Sequence, residues 1–287
     1  MSHSRNQDHD SQGPILVLGA TGKTGRRILE RLEALGLPTR AGSRSAHLPF
    51  DWKDRSTWPA VLEGARAAYI SYYPDLAVPG AVEDTHAFTE LALKLGVRRL
   101  VLLSGRGEPE AQRAEQALQD SGADWTILRA SWFMQNFSEN FLLEEVQSGT
   151  VALPVGDVAE PFVDADDIAD VAVAALTQPG HGERLYELTG PELLTFADTV
   201  ALLSEAAGRP ISYVPVTAEQ YSEGLAQVEL PDGFADLVMY LLTTVMDGRN
   251  AQLANGVQQA LGRAPRTFAD YARSTAATGI WNAQLCR

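Results

Sequence analysis

Cysteine and lysine are the scarce residues of this 287-residue chain, which has only Cys286 and the three lysines Lys23, Lys53 and Lys94. A lone cysteine permits no internal disulfide, and a reducing, cytoplasmic setting is the expectation. Long apolar runs are missing too: nothing approaches the ~18 residues of a membrane span. The opening MSHSRNQDHDSQG has no apolar segment of the kind that drives secretion, and residues 1–12 read as a disordered tail. Net charge is -14, and no basic cluster exceeds the pairs Arg26-Arg27 and Arg98-Arg99. Such a surface repels a phosphate backbone, which argues against direct nucleic-acid binding. The histidines show no ligand spacing, and LLSGRG is the nearest approach to a serine-hydrolase elbow. The acidic stretch VDADDIAD reads as a helix start, with Asp164 as N-cap ahead of Ile168, Val171 and Ala175, in preference to a metal cluster.

What is present is the composition of a protein that buries a core, 45% apolar and 21% charged. The first half alternates strand-like and helix-like runs. PILVLGA (14–20) is continuously apolar, and 23–35 sets Ile28, Leu29, Leu32 and Leu35 on one helical face before Gly36. Further strands are expected at 38–43, 48–52, 66–73, 98–104 and 124–130, with helices at 55–64, 81–95 and 109–120. Residues 132–149 read as a helix of mixed faces and VALP (151–154) as a short strand. Strand, turn and helix are expected over 160–178, and another strand at 183–190. Helices at 195–207, 217–227 and 233–246 and the closing RTFADYARST complete the pattern. The alternation predicts an α/β, doubly wound parallel-sheet Rossmann fold with a smaller C-terminal substrate lobe. The core is placed at 13–155, and the remaining Rossmann elements and lobe at 156–287.

The stretch VLGATGKTG carries two phosphate-binding signals. As a triphosphate loop it needs a glycine at position 17, which is valine. As a dinucleotide loop it needs a buried strand, a glycine turn and a helix, and has all three. Gly19 then makes the turn, Gly22 admits the pyrophosphate to the helix N-terminus, and Gly25 lets the helix pack closely. An NAD site carries a carboxylate about 20 residues on. Here RAGSRSAH offers Ser43, Arg44 and Ser45 instead, a cation and hydroxyls for a 2′-phosphate, so NADP(H) is the expected cofactor.

With these features the chain resembles the NmrA-like family of atypical short-chain dehydrogenases from about residue 14 to 275. The resemblance is carried by GATGKTGRRI, AGSR, LLSG, SGADWTILRASWFMQNF, PFVDADDIADVAVAAL and YELTGPELLTFADTVALLSEAAGRPISYVPV. It implies a Rossmann domain that binds NADP(H) and a substrate cleft against a C-terminal lobe. It also implies that Gly19, Thr21, Gly22, Lys23 and Thr24 surround the pyrophosphate, with Asp51 and Trp52 beside the adenine. Ser71, Tyr72 and Tyr73 would leave a strand near the nicotinamide ribose, and Ser104 would end the next strand beneath the ring.

One family feature is missing. Short-chain dehydrogenases generally pair a tyrosine with a lysine four residues on, and no tyrosine here has one. Reduction of an isolated ketone leaves a strongly basic alkoxide that needs a positioned acid. A quinone or extended enone leaves a delocalised anion with basicity nearer that of a phenol, ~10. Conjugated, aromatic acceptors are therefore expected, with Tyr73 and Ser104 as hydrogen-bonding catalytic groups. Tyr72, Trp132, Met134, Gln135 and Asn136 are the expected substrate residues; Gln135 and Asn136 could equally cap a helix end. Phe133 and Phe137 are expected to pack the lobe interface. The expected partners are a small aromatic substrate and, as a homodimer, a second copy of the chain. An aromatic natural-product tailoring or ring-coupling step is one setting; a non-catalytic NADP sensor acting through a protein partner is the alternative.

Overall fold

Four consecutive apolar residues, Ile15–Leu18, form the first strand (β1), and none is exposed. Such a run suits a parallel strand covered by helices on both faces. The structure, a computed structural model, describes residues 13–139 and 142–282. The expected tail at 1–12 and Cys286 lie outside the described residues. β1 lies between β2 (Thr39–Gly42) and β3 (Ala67–Ile70). Beyond β3 come β4 (Arg99–Gly105), β5 (Asp124–Ala130) and β7 (Arg184–Leu188), giving the order 2-1-3-4-5-7. The pairs from β2 to β5 are all parallel. Helices α1 (Lys23–Ala34), α2 (Trp58–Leu62), α3 (Ala81–Lys94) and α4 (Pro109–Gln119) alternate with the first five strands. The chain winds from β1 to β2 on one side and to β3 on the other. The ligand-binding switch of such a sheet therefore falls at the ends of β1 and β3.

The chain divides into two compact units. The first runs to Ala130 and adds Asp166–Glu187 and Gly256–Gly262; the second comprises Ser131–Ala165, Leu188–Asn255 and the segment from Arg263. The sequence reading drew one boundary at 155; the units instead interleave, because the last sheet strand is built after the second unit has begun. Within the first unit, α6 (Ala165–Thr177) is tied to α1 through Arg31, whose guanidinium bonds Asp166 and Asp170 at 2.6 Å each. These acidic residues of VDADDIAD thus serve an ion-pair seam.

The second unit packs around phenylalanines. Phe162 and Phe196 meet edge-on with ring centres 5.2 Å apart, and Phe137 meets Phe268 at 5.6 Å. α5 (Leu142–Ser148) and α7 (Phe196–Ala207) supply much of this core, and a two-stranded parallel sheet joins β6 (Thr150–Leu153) to β8 (Ser212–Pro215).

Several expected elements differ. LPFDW is not a strand: Ser43 bridges Pro49 and Asp51 bridges Asp54, each singly. Its period of two is real, since Phe50 and Trp52 both enter the core, but Pro49 has no N–H for a ladder. Leu35 caps α1 and is exposed, so it lies off the buried face. The expected helix over 132–149 becomes a single 3-10 turn, Met134–Phe137, and α5. Residues 160–163 make only isolated bridges in place of a strand. The helix expected at 233–246 is α-helical over Phe234–Tyr240 and widens into a π turn at Leu241–Val245. β8 and the helix Gly256–Leu261 went unforeseen. A glycine reads as a loop residue, but a Cβ at Gly256 would lie 2.3 Å from the Glu187 carbonyl oxygen, so close packing requires it.

Candidate cofactor and active site

The glycine loop follows β1 at the winding switch. Gly19 has φ +66°, a left-handed conformation that favours glycine. A Cβ there would also stand 3.3 Å from Ser71 Oγ, so Ser71, just past β3, lies beside the loop. A Cβ on Gly25 would meet the Gly19 carbonyl oxygen at 2.1 Å; the close helix–strand approach requires glycine. Gly22 is different. It is the N-cap of α1, no side chain caps it, and its added Cβ would meet only Gly19 O, at 3.2 Å. The first N–H groups of a helix lack intrahelical acceptors, so this end offers donors and a partial positive charge to a phosphate. Thr21 is exposed and Lys23 half-buried beside it. Thr24 departs from expectation: its hydroxyl is buried and accepts from Tyr69 Oη at 2.9 Å, so only its backbone faces the loop's work.

At the end of β2, Ser43 Oγ lies 3.4 Å from Ser45 Oγ. Arg44 is exposed and makes no ion pair among the described residues; its guanidinium carbon sits 5.6 Å from the centre of the Tyr73 ring. No carboxylate stands between Thr39 and Pro49. Asp51 is half-exposed, and its Oδ1 accepts the Lys53 N–H at 3.0 Å. Trp52 is not an open adenine platform. It is 6% exposed, its indole N–H bonds the Ser71 carbonyl at 3.1 Å, and Tyr72 covers it with ring centres 4.7 Å apart.

The two tyrosines after β3 are unlike each other. Tyr72 donates its hydroxyl proton to Asp84 Oδ2 at 2.9 Å, and burial together with that carboxylate pushes the phenol well up. With one face on Trp52 and its proton on Asp84, it is a wall of the core more than a substrate contact. Tyr73 is 59% exposed, and its hydroxyl makes no hydrogen bond among the described residues.

Ser104, at the end of β4, is 4% exposed and gives its proton to Glu115 Oε1 at 2.6 Å. Arg129 closes on both oxygens of Glu115 and reaches Glu187 Oε1 at 3.1 Å, while Arg106 Nε bonds Glu187 Oε2 at 3.3 Å. Two arginines and two carboxylates thus balance beneath the strand ends. As a donor to a developing oxyanion Ser104 is corrected by this network, because its only proton already has an acceptor.

In the second unit, Met134 and Gln135 are each 1% exposed. Gln135 donates to Asp164 Oδ1 and accepts the Ala165 N–H, both at 2.8 Å, so both ends of its buried amide are engaged within the second unit. Met134 packs in the phenylalanine core, as does Phe137. Trp132, Phe133 and Asn136 are half-buried, and the Trp132 indole N–H has no partner among the described residues. The sequence reading missed two acids, Asp75 after β3 and Glu108 after β4, whose carboxyls meet each other. Their positions past strand ends were the available signal.

A glycine loop at the switch of a parallel sheet, an uncapped helix N-terminus and an unpaired arginine after β2 fit a dinucleotide. They define an NAD(P)H-dependent oxidoreductase of Rossmann fold. The comparisons agree: an NAD(P)H-binding family model matches residues 19–179, and the NmrA-like family model matches residues 112–272. The chain belongs to the NmrA-like family. It is 33% identical to an NAD(P)H azoreductase of Xenophilus azovorans, over 92% of this chain and 98% of the relative. The fold matches a nucleoside-diphosphate-sugar epimerase of Staphylococcus aureus (TM-score 0.78, 21% identity, 91% and 99% of the two chains). It also matches an NADPH-dependent quinone oxidoreductase of Escherichia coli, solved with NADPH (TM-score 0.76, 22% identity, 91% and 99%). The cofactor is NADP(H).

Proposed function

We propose that the chain reduces quinone-like or otherwise conjugated aromatic small molecules with NADPH. The observation that carries this reading is the missing Tyr-x-x-x-Lys pair. The tyrosines at the strand ends do not replace it: Tyr69 and Tyr72 are bonded to Thr24 and Asp84, and burial raises both phenols further from neutral pH. Without a phenol activated by lysine, acceptors that delocalise the charge they receive are the ones turned over. The bound cofactor supplies a hydride; the chain supplies position and hydrogen bonds. Gly19, Gly22 and the N-terminus of α1 would hold the pyrophosphate, and Ser43 and Arg44 the 2′-phosphate. Ser71 would stand beside the loop, and Tyr73 would donate to the developing oxyanion. The named relatives fit this class of acceptor, a quinone in one case and an azo compound in the other. A tailoring or ring-coupling step on an aromatic natural product is the setting we favour.

Steady oxidation of NADPH in the presence of a menadione-type naphthoquinone supports this reading. Tight NADPH binding without turnover of any quinone or azo acceptor would move the assignment to an NADP sensor. The cofactor preference has its own test. Arg44→Ala is expected to weaken NADPH binding by about 1.5–3 kcal/mol, the range of a charge-assisted hydrogen bond, and to leave NADH nearly unchanged. Equal losses for both in calorimetric titration would assign the 2′-phosphate elsewhere.

A further inference from the structure

Glu108 stands at the N-cap of α4, where a short polar side chain ordinarily bonds the helix N–H groups, yet its side chain makes no such bond. Its carboxyl lies instead against Gly105 at the end of β4: a Cβ on that glycine would fall 2.1 Å from Glu108 Oε1 and 2.4 Å from Oε2. The residue is 6% exposed, and Oε2 meets no N–H or hydroxyl donor among the described residues. What it does meet is the carboxyl of Asp75, five residues past the end of β3. Asp75 is held by the Ala77 N–H, which bonds its Oδ1 at 2.8 Å. Two carboxylates in contact without a cation cannot both ionise cheaply; one proton between them turns the contact into a hydrogen bond. The charges acting most strongly on Glu108 are those of Asp75, Glu110 and Glu115, all negative; Glu110 is paired with Arg113 and Glu115 with Arg129. Both carboxyls are held above the ordinary carboxylate range, first by burial.

The pair occupies the ends of β3 and β4, on the side of the sheet where a parallel fold binds its ligands. We propose that Asp75 and Glu108 share one proton and that this proton completes reduction of the acceptor, the task left open by the missing tyrosine–lysine pair. The inference rests on the reductase reading above. Hydride addition gives the acceptor two electrons and one hydrogen and leaves it an anion short of one proton. Glu108 supplies that proton as its O–H bond breaks, the pair is left doubly charged, and Asp75 recovers a proton from water.

Three measurements on the full chain test this, with NADPH and a naphthoquinone as the substrates. In the wild type, kcat should fall as pH rises through the pair's upper titration, because the donor is then empty. Glu108→Gln should lower kcat by about 10- to 100-fold, remove that limb and leave the Kd for NADPH unchanged. Asp75→Asn should move the limb to lower pH, since the charge that keeps Glu108 protonated is gone; it also serves if the first variant does not fold. Independently of turnover, infrared spectra of the wild type at pH 7 should show a protonated carboxyl band that Glu108→Gln lacks. Absence of the band, or wild-type kcat and pH profile in both variants, overturns the proposal while the reductase reading stands. A wild type that binds NADPH but turns over no quinone or azo acceptor overturns both.

Discussion

Gly22→Val is expected to yield a folded protein that binds NADPH at least 100-fold more weakly. A valine Cβ at this position meets only the Gly19 carbonyl oxygen, at 3.2 Å, a contact that a shift of a few tenths of an ångström relieves. The backbone there has φ -82°, so no glycine-specific conformation is lost. What is lost is access: the branched side chain stands over the N–H groups at the start of α1, where pyrophosphate would approach. Gly25, three residues on, provides the contrast. Its Cβ would overlap backbone at 2.1 Å, so even alanine there should push α1 off β1 and unfold the domain. Circular dichroism and NADPH titration on the two variants separate binding from folding. Normal NADPH affinity in a folded Gly22→Val would refute the loop assignment.

Glu115→Ala should cost about 3 kcal/mol of stability, the lower end for breaking a buried ion pair from one side. The Glu115 side chain is 3% exposed, and that of Arg129, which grips both its oxygens, is 19% exposed. Truncation leaves Arg129 with Glu187 alone and Ser104 without an acceptor for its proton. Glu115→Gln should recover part of the loss, since it keeps the serine bond while losing the charge. Denaturant midpoints measure both. A midpoint unchanged in Glu115→Ala would show that the pair contributes nothing net to the fold.

The elements that the sequence made legible are those in which a local pattern and the final packing coincide. β1 reads as a buried strand because all four of its residues are apolar, and the glycine loop reads as a dinucleotide turn because strand, turn and helix adjoin in sequence. Residues 48–52 show where this fails. Phe50 and Trp52 alternate inward as a strand would, but the alternation serves an aromatic cluster with Trp58 and Phe88. Patterns of burial do not report hydrogen-bond partners. The site divides in the same way. The roles proposed for Arg44 and the glycines rest on charge and backbone shape, which a sequence displays directly. The fates of Thr24, Ser104 and Gln135 were not, because each hydroxyl or amide is taken by a residue 11 to 45 positions away. Asp75 and Glu108 were hidden for a related reason: 33 residues apart, they become a pair only when β3 and β4 lie side by side.

The claim that this family member works without an activated tyrosine is tested most directly by comparing acceptors. The measurement is kcat/KM with NADPH for menadione and for an unconjugated ketone of similar size, under the same conditions. The account predicts efficient reduction of the quinone, with the ketone slower by at least 100-fold, because only the quinone delocalises the charge it receives. Equal efficiency on the two acceptors would contradict it.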